Sequence, residues 1–280
     1  MGETSDINNV LFYKGNTCRK RFMVNEIKLV KTGEAAIAEV LTLEHLPAVL
    51  ALHETTRAAL PDDQKMFVLP QSPAYFEKFL AGKGGAMLGV TAGGTLIAQL
   101  VLMGPLTLED AIANRAVTRN EIAFHHVGAL DDIVAVKSMA VHPEYRGNEL
   151  SQHLLAGALE LPLLTQVDHV FAQISVDNVR SWELFLKNGF GIVAAGVDPG
   201  DQKARFILQK PAGGFTFDAA PSADDVDAVA DFSAIARLTQ REALVGHIDD
   251  MASTASGIKL AFSASAELSS PLPRVAHEAE

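Results

Sequence analysis

The sequence predicts an α/β fold in the broad, α+β sense, with strands and helices interleaved, and three stretches carry that prediction. Residues 133–161 open on a β-branched and apolar run (Ile133, Val134, Val136, Met139, Val141) with the character of a largely buried strand. His142-Pro143-Glu144-Tyr145 stops it, because proline removes a ladder donor and restricts the residue before it. After Arg146-Gly147-Asn148, Leu150, Leu154, Ala158 and Leu161 recur at helical spacing, and Pro162 closes the helix. The second stretch is a hairpin, residues 87–91 and 95–103 around Ala92-Gly93-Gly94. The third runs from a strand at 169–176 through a helix at 178–188 to a hairpin, residues 191–197 and 204–209 around Asp198-Pro199-Gly200-Asp201.

The other elements follow in order. Residues 1–23 are polar with a short basic group (Arg19, Lys20, Arg21) and are expected to be a flexible leader; they lack the apolar core of a secretion signal. Gly2 is followed at position six by Asp6 rather than Ser or Thr, so the myristoylation pattern fails. β-type runs occupy 27–30 and 36–41. A helix is expected over 46–60, with Pro47 in its first turn and Pro61 as its stop. Ser72 and Pro73 provide the N-cap and first position of another, ended by Gly82. In 95–103 both alternating faces are apolar, which predicts a strand covered on both sides. Residues 104–131 are long for a simple connection and contain a helical piece near 106–116.

Past Pro211 the character changes. Residues 216–280 hold eleven acidic and four basic residues, and so supply most of the net charge of −11. A helix-like pattern (Phe232, Ile235, Leu238, Leu244, Ile248) spans 232–248, and the Ser/Ala/Glu-rich end is expected to be disordered. The expected organisation is a leader 1–23, a folded domain 24–212 and an acidic, partly disordered extension 213–280.

Composition narrows the function. The negative charge argues against nucleic-acid backbones as partners, since no excess of Lys and Arg exists to displace counterions. Cys18 is the only cysteine, which rules out an intrachain disulfide and a multi-cysteine zinc site and suits a cytoplasmic protein. No apolar run approaches the length of a membrane span.

The strand–turn–helix at 133–161 gathers unpaired N–H groups and the positive end of a helix dipole at residues 147–151, a geometry that binds anions. Ser138-Met-Ala-Val-His-Pro-Glu-Tyr-Arg-Gly147, then Asn148-Glu-Leu-Ser151, resembles the acetyl-CoA signature of the GNAT acetyltransferase superfamily. A second block resembles another element of that superfamily: Asn178-Val-Arg-Ser181 followed by Leu184-Phe185 and Gly189-Phe190. The resemblance implies the GNAT fold, a central mixed, mostly antiparallel sheet flanked by helices and splayed where acetyl-CoA lies. It further implies that Met139 and Val141 offer main-chain groups to the pantetheine arm. The amide of Met139 or Ala140 would face the thioester carbonyl and stabilise its oxyanion. Arg146, Gly147, Asn148, Glu149, Leu150 and Ser151 would hold the pyrophosphate; Asn178 would hold the pantetheine arm, with Phe185 near the sulfur.

Two departures bear on this. From Arg146 the superfamily's turn reads R-x-x-G-x-G/A, and Glu149 and Ser151 fill its small positions. Glycine suits such a loop because it lets backbone approach closely, whereas Glu149 adds charge beside a diphosphate. Phe185 stands where many relatives have Tyr, and cannot protonate a departing thiolate. An alkylammonium acceptor, pKa about 10.4, must also lose a proton before attack. The strand interior supplies no carboxylate, so Asp132 and His125 are the candidate catalytic groups, with Asp131, Glu121 and His126 beside them. Each has a plainer explanation: the aspartates as a solvated turn, and the adjacent histidines as structural residues that lack a third metal ligand. Tyr145 is expected to pack in the turn, and Trp182 and Phe185 in the core.

The function expected is N-acetyl transfer from acetyl-CoA as co-substrate, without a metal, to a small-molecule or amino-acid-like amine. Neither nucleic acid nor membrane is an expected partner, and a homodimer is left open. The alternative is a non-catalytic acyl-CoA-binding or sensing module acting through residues 213–280. A different nucleotide-binding α/β domain is disfavoured, because no G-x-G-x-x-G or Walker loop follows a strand.

Overall fold

A computed structural model describes residues 23–106, 133–165, 167, 169–198, 202–211, 222–227, 245–254 and 257–265. The chain divides into two compact units, one comprising Met1–Pro105 with Val134–Val167 and the other the remainder.

In the first unit the strand order is β1 (Met23–Lys28), β2 (Ala35–Val40), β3 (Gly85–Ala92), β4 (Thr95–Leu106) and β5 (Ile133–Val141). The pairs β1–β2, β2–β3 and β3–β4 are antiparallel. Gly93 and Gly94 turn the β3–β4 hairpin with φ of 54° and 81°, the positive values that a tight hairpin demands of both central residues. β4 is buried from Leu96 to Met103, as its apolar alternation on both faces predicts. The His142 N–H donates to the Ile97 carbonyl at 2.8 Å and sets the end of β5 beside the start of β4.

Helices bring their apolar sides to this unit. α1 (Leu46–Ala58) starts with Pro47 in its first turn, where the missing N–H costs nothing, and buries Val49 and Leu52. α2 (Pro73–Leu80) starts where the sequence places it: Ser72 Oγ accepts from the Tyr75 N–H at 3.3 Å, and Pro73 is the first helical residue. It buries Phe76, Phe79 and Leu80, each burial stabilising by roughly 1.5–3 kcal/mol. α3 (Leu150–Leu159) buries Leu150, Leu154 and Ala158, the face read from the sequence. Pro162 does more than close it. It is the first residue of a short helix, α4 (Pro162–Thr165), a position that suits its fixed φ.

The second unit contains β6 (His169–Ser175), α5 (Val179–Lys187), β7 (Gly191–Asp198), β8 (Lys203–Pro211), β9 (Ser222–Asp227), β10 (Val245–Thr254) and β11 (Gly257–Ser265), ordered β6-β8-β7-β10-β11-β9 across the sheet. Its pairings are antiparallel. Trp182 fixes α5, fully buried with its ring edge on Phe206 and Nε1–H donating to the Val176 carbonyl at 3.0 Å. Gly189, at φ 77°, ends the helix: its N–H reaches the Leu186 carbonyl and that of Phe190 reaches the Phe185 carbonyl.

The predicted helix at 232–248 is corrected where it can be compared. Residues 245–248 lie in β10, and Ile248 pairs with Ile192 of β7. Tertiary pairing overrides a local periodicity there; residues 232–244 lie outside the described residues. So does the predicted helix at 106–116, apart from Leu106, which ends β4.

Candidate active site

β5 is buried on both faces from Ile133 to Val136, then half-buried from Lys137 to Met139. The change coincides with Ser138, whose φ of 48° breaks the extended backbone. A serine in this left-handed region is uncommon in a strand and breaks its alternation. Ser138 Oγ lies 3.1 Å from the Tyr75 hydroxyl, so α2 is tied to the strand where it kinks. Burial pushes the Tyr75 phenol above its ordinary pKa, and the bond to Ser138 opposes this. Ala140 is buried, and Thr56 of α1 donates to the Val141 carbonyl at 3.5 Å, a long bond.

Beyond Val141 the chain enters a single 3₁₀ turn, Pro143–Tyr145. His142 Nδ1 accepts from the Glu144 N–H at 3.4 Å, and its ring meets that of Tyr145 edge-on at 5.6 Å. Tyr145 packs in the turn, as the sequence suggests. Gly147 and Glu149 then adopt φ of 81° and 58°. Glu149 thus holds the left-handed conformation for which glycine is the usual residue, at a cost of roughly 1–2 kcal/mol. Its side chain is exposed, as is that of Arg146.

Asn148 holds this turn together. It is 1% exposed; Oδ1 accepts from the Lys31 N–H at 2.8 Å and Nδ2 donates to the Tyr145 carbonyl at 2.9 Å. Lys31 Nζ also donates to the Arg146 carbonyl, so the β1–β2 connection clasps the turn from outside. Among the described residues, the backbone amides of Gly147, Asn148, Glu149, Leu150 and Ser151 donate to no protein group. Five successive N–H groups without a described protein acceptor therefore lie at the start of α3, where the helix dipole is positive, and such a run suits a diphosphate. Leu150 is buried and anchors the helix, while Ser151 is half-buried in its first turn.

The first unit thus brings together Met139, Ala140, Val141 and the run Arg146 to Ser151. Asn178 and Phe185 belong to the second unit. Asn178 caps α5: its N–H donates to the Ser175 carbonyl at 2.9 Å and its carbonyl accepts from Ser181 and Trp182. Phe185 is 3% exposed, with its ring edge-on to Phe190 at 4.9 Å. Asp132 and His125, with Asp131, Glu121 and His126, lie outside the described residues. Among the described residues no three His, Cys, Asp or Glu side chains are grouped to hold a metal, and no helix is long and apolar enough to cross a membrane.

Sequence reasoning missed Lys31 and Tyr75, and the kink at Ser138. Tyr75 was visible only as a member of a well-capped helix, and Lys31 as a cation in a turn with Gly33. Their partners lie 63 and 117 residues away, which no local pattern records.

Residues 61–190 match the model of the acetyltransferase (GNAT) family. L-2,4-diaminobutyric acid acetyltransferase of Vibrio parahaemolyticus is 39% identical over 56 residues, 20% of this chain and 31% of that protein. The match thus spans about a third of the relative's length. Similar solved structures include the ribosomal-protein-S18-alanine N-acetyltransferase of Escherichia coli (15% identity, 66% of this chain and 98% of that one, TM-score 0.45). Another is a GNAT-family acetyltransferase of Streptococcus agalactiae (16%, 65% and 98%, TM-score 0.48). A third is Arabidopsis thaliana NAA60 in complex with acetyl-CoA (13%, 64% and 99%, TM-score 0.46).

Proposed function

We propose that this protein, whose residues 61–190 match the model of the acetyltransferase (GNAT) family, transfers an acetyl group from acetyl-CoA to the amine of a small-molecule or amino-acid-like acceptor by direct attack on the thioester. The observation that carries this is the run of five amides from Gly147 to Ser151 that, among the described residues, donate to no protein group, set by the Asn148 clasp at the head of α3. The diphosphate sits on that array with Arg146 beside it. The strand before it, kinked at Ser138, presents Met139, Ala140 and Val141 to the pantetheine arm, and an amide at Met139 or Ala140 takes the developing oxyanion. The family resemblance also assigns Asn178 to the pantetheine arm and Phe185 to the sulfur, and Asp132 and His125 remain the candidates for deprotonating the amine. No metal takes part, the protein is cytoplasmic, and neither nucleic acid nor membrane is a partner. A homodimer is compatible with all of this. The leader ends at residue 23, the catalytic domain spans 24–212, and 213–280 is an extension; the pairing of Ile248 with Ile192 supports an extension that adds strands to the domain's sheet.

Glu149 and Phe185 favour a second reading, a module that binds acyl-CoA without turning it over and acts through residues 213–280. A thermal-shift titration with acetyl-CoA, repeated on Arg146→Ala, tests the shared premise: the melting temperature rises, and the variant loses most of the rise. No shift with any acyl-CoA removes both readings. Thiol release against a panel of amines, including diamino acids because the Vibrio relative's name specifies one, then separates them. Binding without thiol release across the panel selects the sensing module.

A further inference from the structure

Phe185 has no hydroxyl, so the proposed reaction lacks a proton for the departing sulfur at the position where one is expected. We infer that Tyr75 fills this role, acting through Ser138: the two hydroxyls, 3.1 Å apart at the kink of β5, carry a proton to the coenzyme A sulfur. The inference rests on the transferase reading above. It adds a residue that neither the sequence motifs nor the amide array identify.

Three observations converge on the pair. Ser138 is one peptide before the Met139 amide, a candidate for the oxyanion in that reading. Its positive φ removes it from the strand's alternation, and its Oγ is the partner of the α2 phenol. Tyr75 itself is held in place from two sides, its ring edge-on to Phe76 at 5.2 Å and to Phe79 at 5.1 Å. A phenol fixed by aromatic contacts, half-buried and kept protonated by that burial, holds a proton to donate and recovers it readily once it has become phenolate.

The step balances without an added reagent. The amine lone pair forms the C–N bond, the tetrahedral intermediate collapses, and the C–S bond breaks with its electron pair going to sulfur. Ser138 gives its hydroxyl proton to sulfur and takes that of Tyr75. The phenolate then accepts the proton shed by the new amide nitrogen. The net transfer is one proton from nitrogen to sulfur.

Tyr75→Phe removes one oxygen and keeps both ring contacts, so it tests the hydroxyl rather than the packing; Ser138→Ala tests the relay from the other side. The expected result is an unchanged melting temperature and an unchanged acetyl-CoA dissociation constant for Tyr75→Phe. Its kcat falls about 100-fold, the low end for general-acid catalysis, and Ser138→Ala falls similarly. With the selenoester analogue of acetyl-CoA, whose selenolate leaves without a proton, Tyr75→Phe returns to within a fewfold of the unsubstituted protein. A purely structural tie between α2 and β5 predicts a defect that persists with the selenoester, and that outcome overturns the assignment. So does a Tyr75→Phe kcat within twofold of the unsubstituted protein. Failure of the unsubstituted protein to bind acetyl-CoA, or to release thiol with any amine, removes the transferase reading itself and the role of Tyr75 with it.

Discussion

Asn148→Ala is expected to cost far more than the loss of a small polar side chain on a loop. Asn148 is 1% exposed and makes two hydrogen bonds, one with the Lys31 N–H and one with the Tyr145 carbonyl. Removing one partner of a buried bond exposes the other to its desolvation cost, about 1–3 kcal/mol each. Lys31 lies in an exposed turn, where water can reach its freed amide, so its share belongs at the low end. The sum is about 2–4 kcal/mol, a large part of the ~5–15 kcal/mol that holds a typical domain folded. Urea unfolding followed by far-ultraviolet circular dichroism measures it. Trp182 fluorescence reports the second unit and is expected to move less. Amide hydrogen exchange gives a local readout: the Lys31 N–H is protected in the unsubstituted protein and exchanges freely in the variant. Lys31→Ala is the control, because it removes only the exposed Nζ contact with Arg146 and keeps the backbone bond; it is expected to cost under about 1 kcal/mol. If Asn148→Ala costs less than ~1 kcal/mol and leaves Lys31 exchange unchanged, Asn148 does not hold the turn and the clasp is not a structural element.

Glu149→Gly relieves a left-handed φ of 58° and removes a negative charge from the amide array. It is expected to leave stability unchanged or raise it by up to about 1 kcal/mol, and to tighten acetyl-CoA binding in isothermal calorimetry several-fold. Gln99 is 0% exposed and, among the described residues, neither of its amide atoms has a partner, so Gln99→Met is expected to raise stability by about 1–3 kcal/mol in urea unfolding. Burial holds the His53 imidazole below its usual pKa, the Arg57 charge adding to this while the bond to the Leu69 carbonyl and the Glu54 charge oppose it. The unfolded chain therefore binds a proton at about pH 6.5 that the folded chain does not yet accept. Stability is expected to be full above that pH and to fall as pH drops through the folded value, and His53→Gln is expected to flatten this part of a melting-temperature profile.

What could be read from the sequence was local. Ser72 and Pro73 start α2, Gly93 and Gly94 turn the hairpin, and the spacing of Leu150, Leu154 and Ala158 gives the buried face of α3, because each signal is complete within a few residues. The turn after Val141 was recognisable for the same reason. Its conformation was not: a motif with Glu149 at a glycine position says only that something differs. The kink at Ser138 was equally hidden, since its sequence neighbours continue a β-branched, apolar run and its φ is tied to a phenol 63 residues earlier. Residues 245–248 show the opposite error, a helical period that pairing with β7 overrules.

These long-range contacts also explain how the turn tolerates its departure from the motif. A glycine at position 149 would reach φ 58° without cost; glutamate does not, and strain of roughly 1–2 kcal/mol has to be met by contacts that exist only when the turn is formed. Asn148 supplies two, and Lys31 a third through the Arg146 carbonyl. Their net worth, about 1–3 kcal/mol from the first two together, is of the size of the strain. The clasp and the glutamate are therefore coupled: Glu149→Gly is expected to lessen the damage done by Asn148→Ala. A double-mutant cycle reads that coupling directly, and strictly additive free energies would show that the β1–β2 connection does not compensate for Glu149.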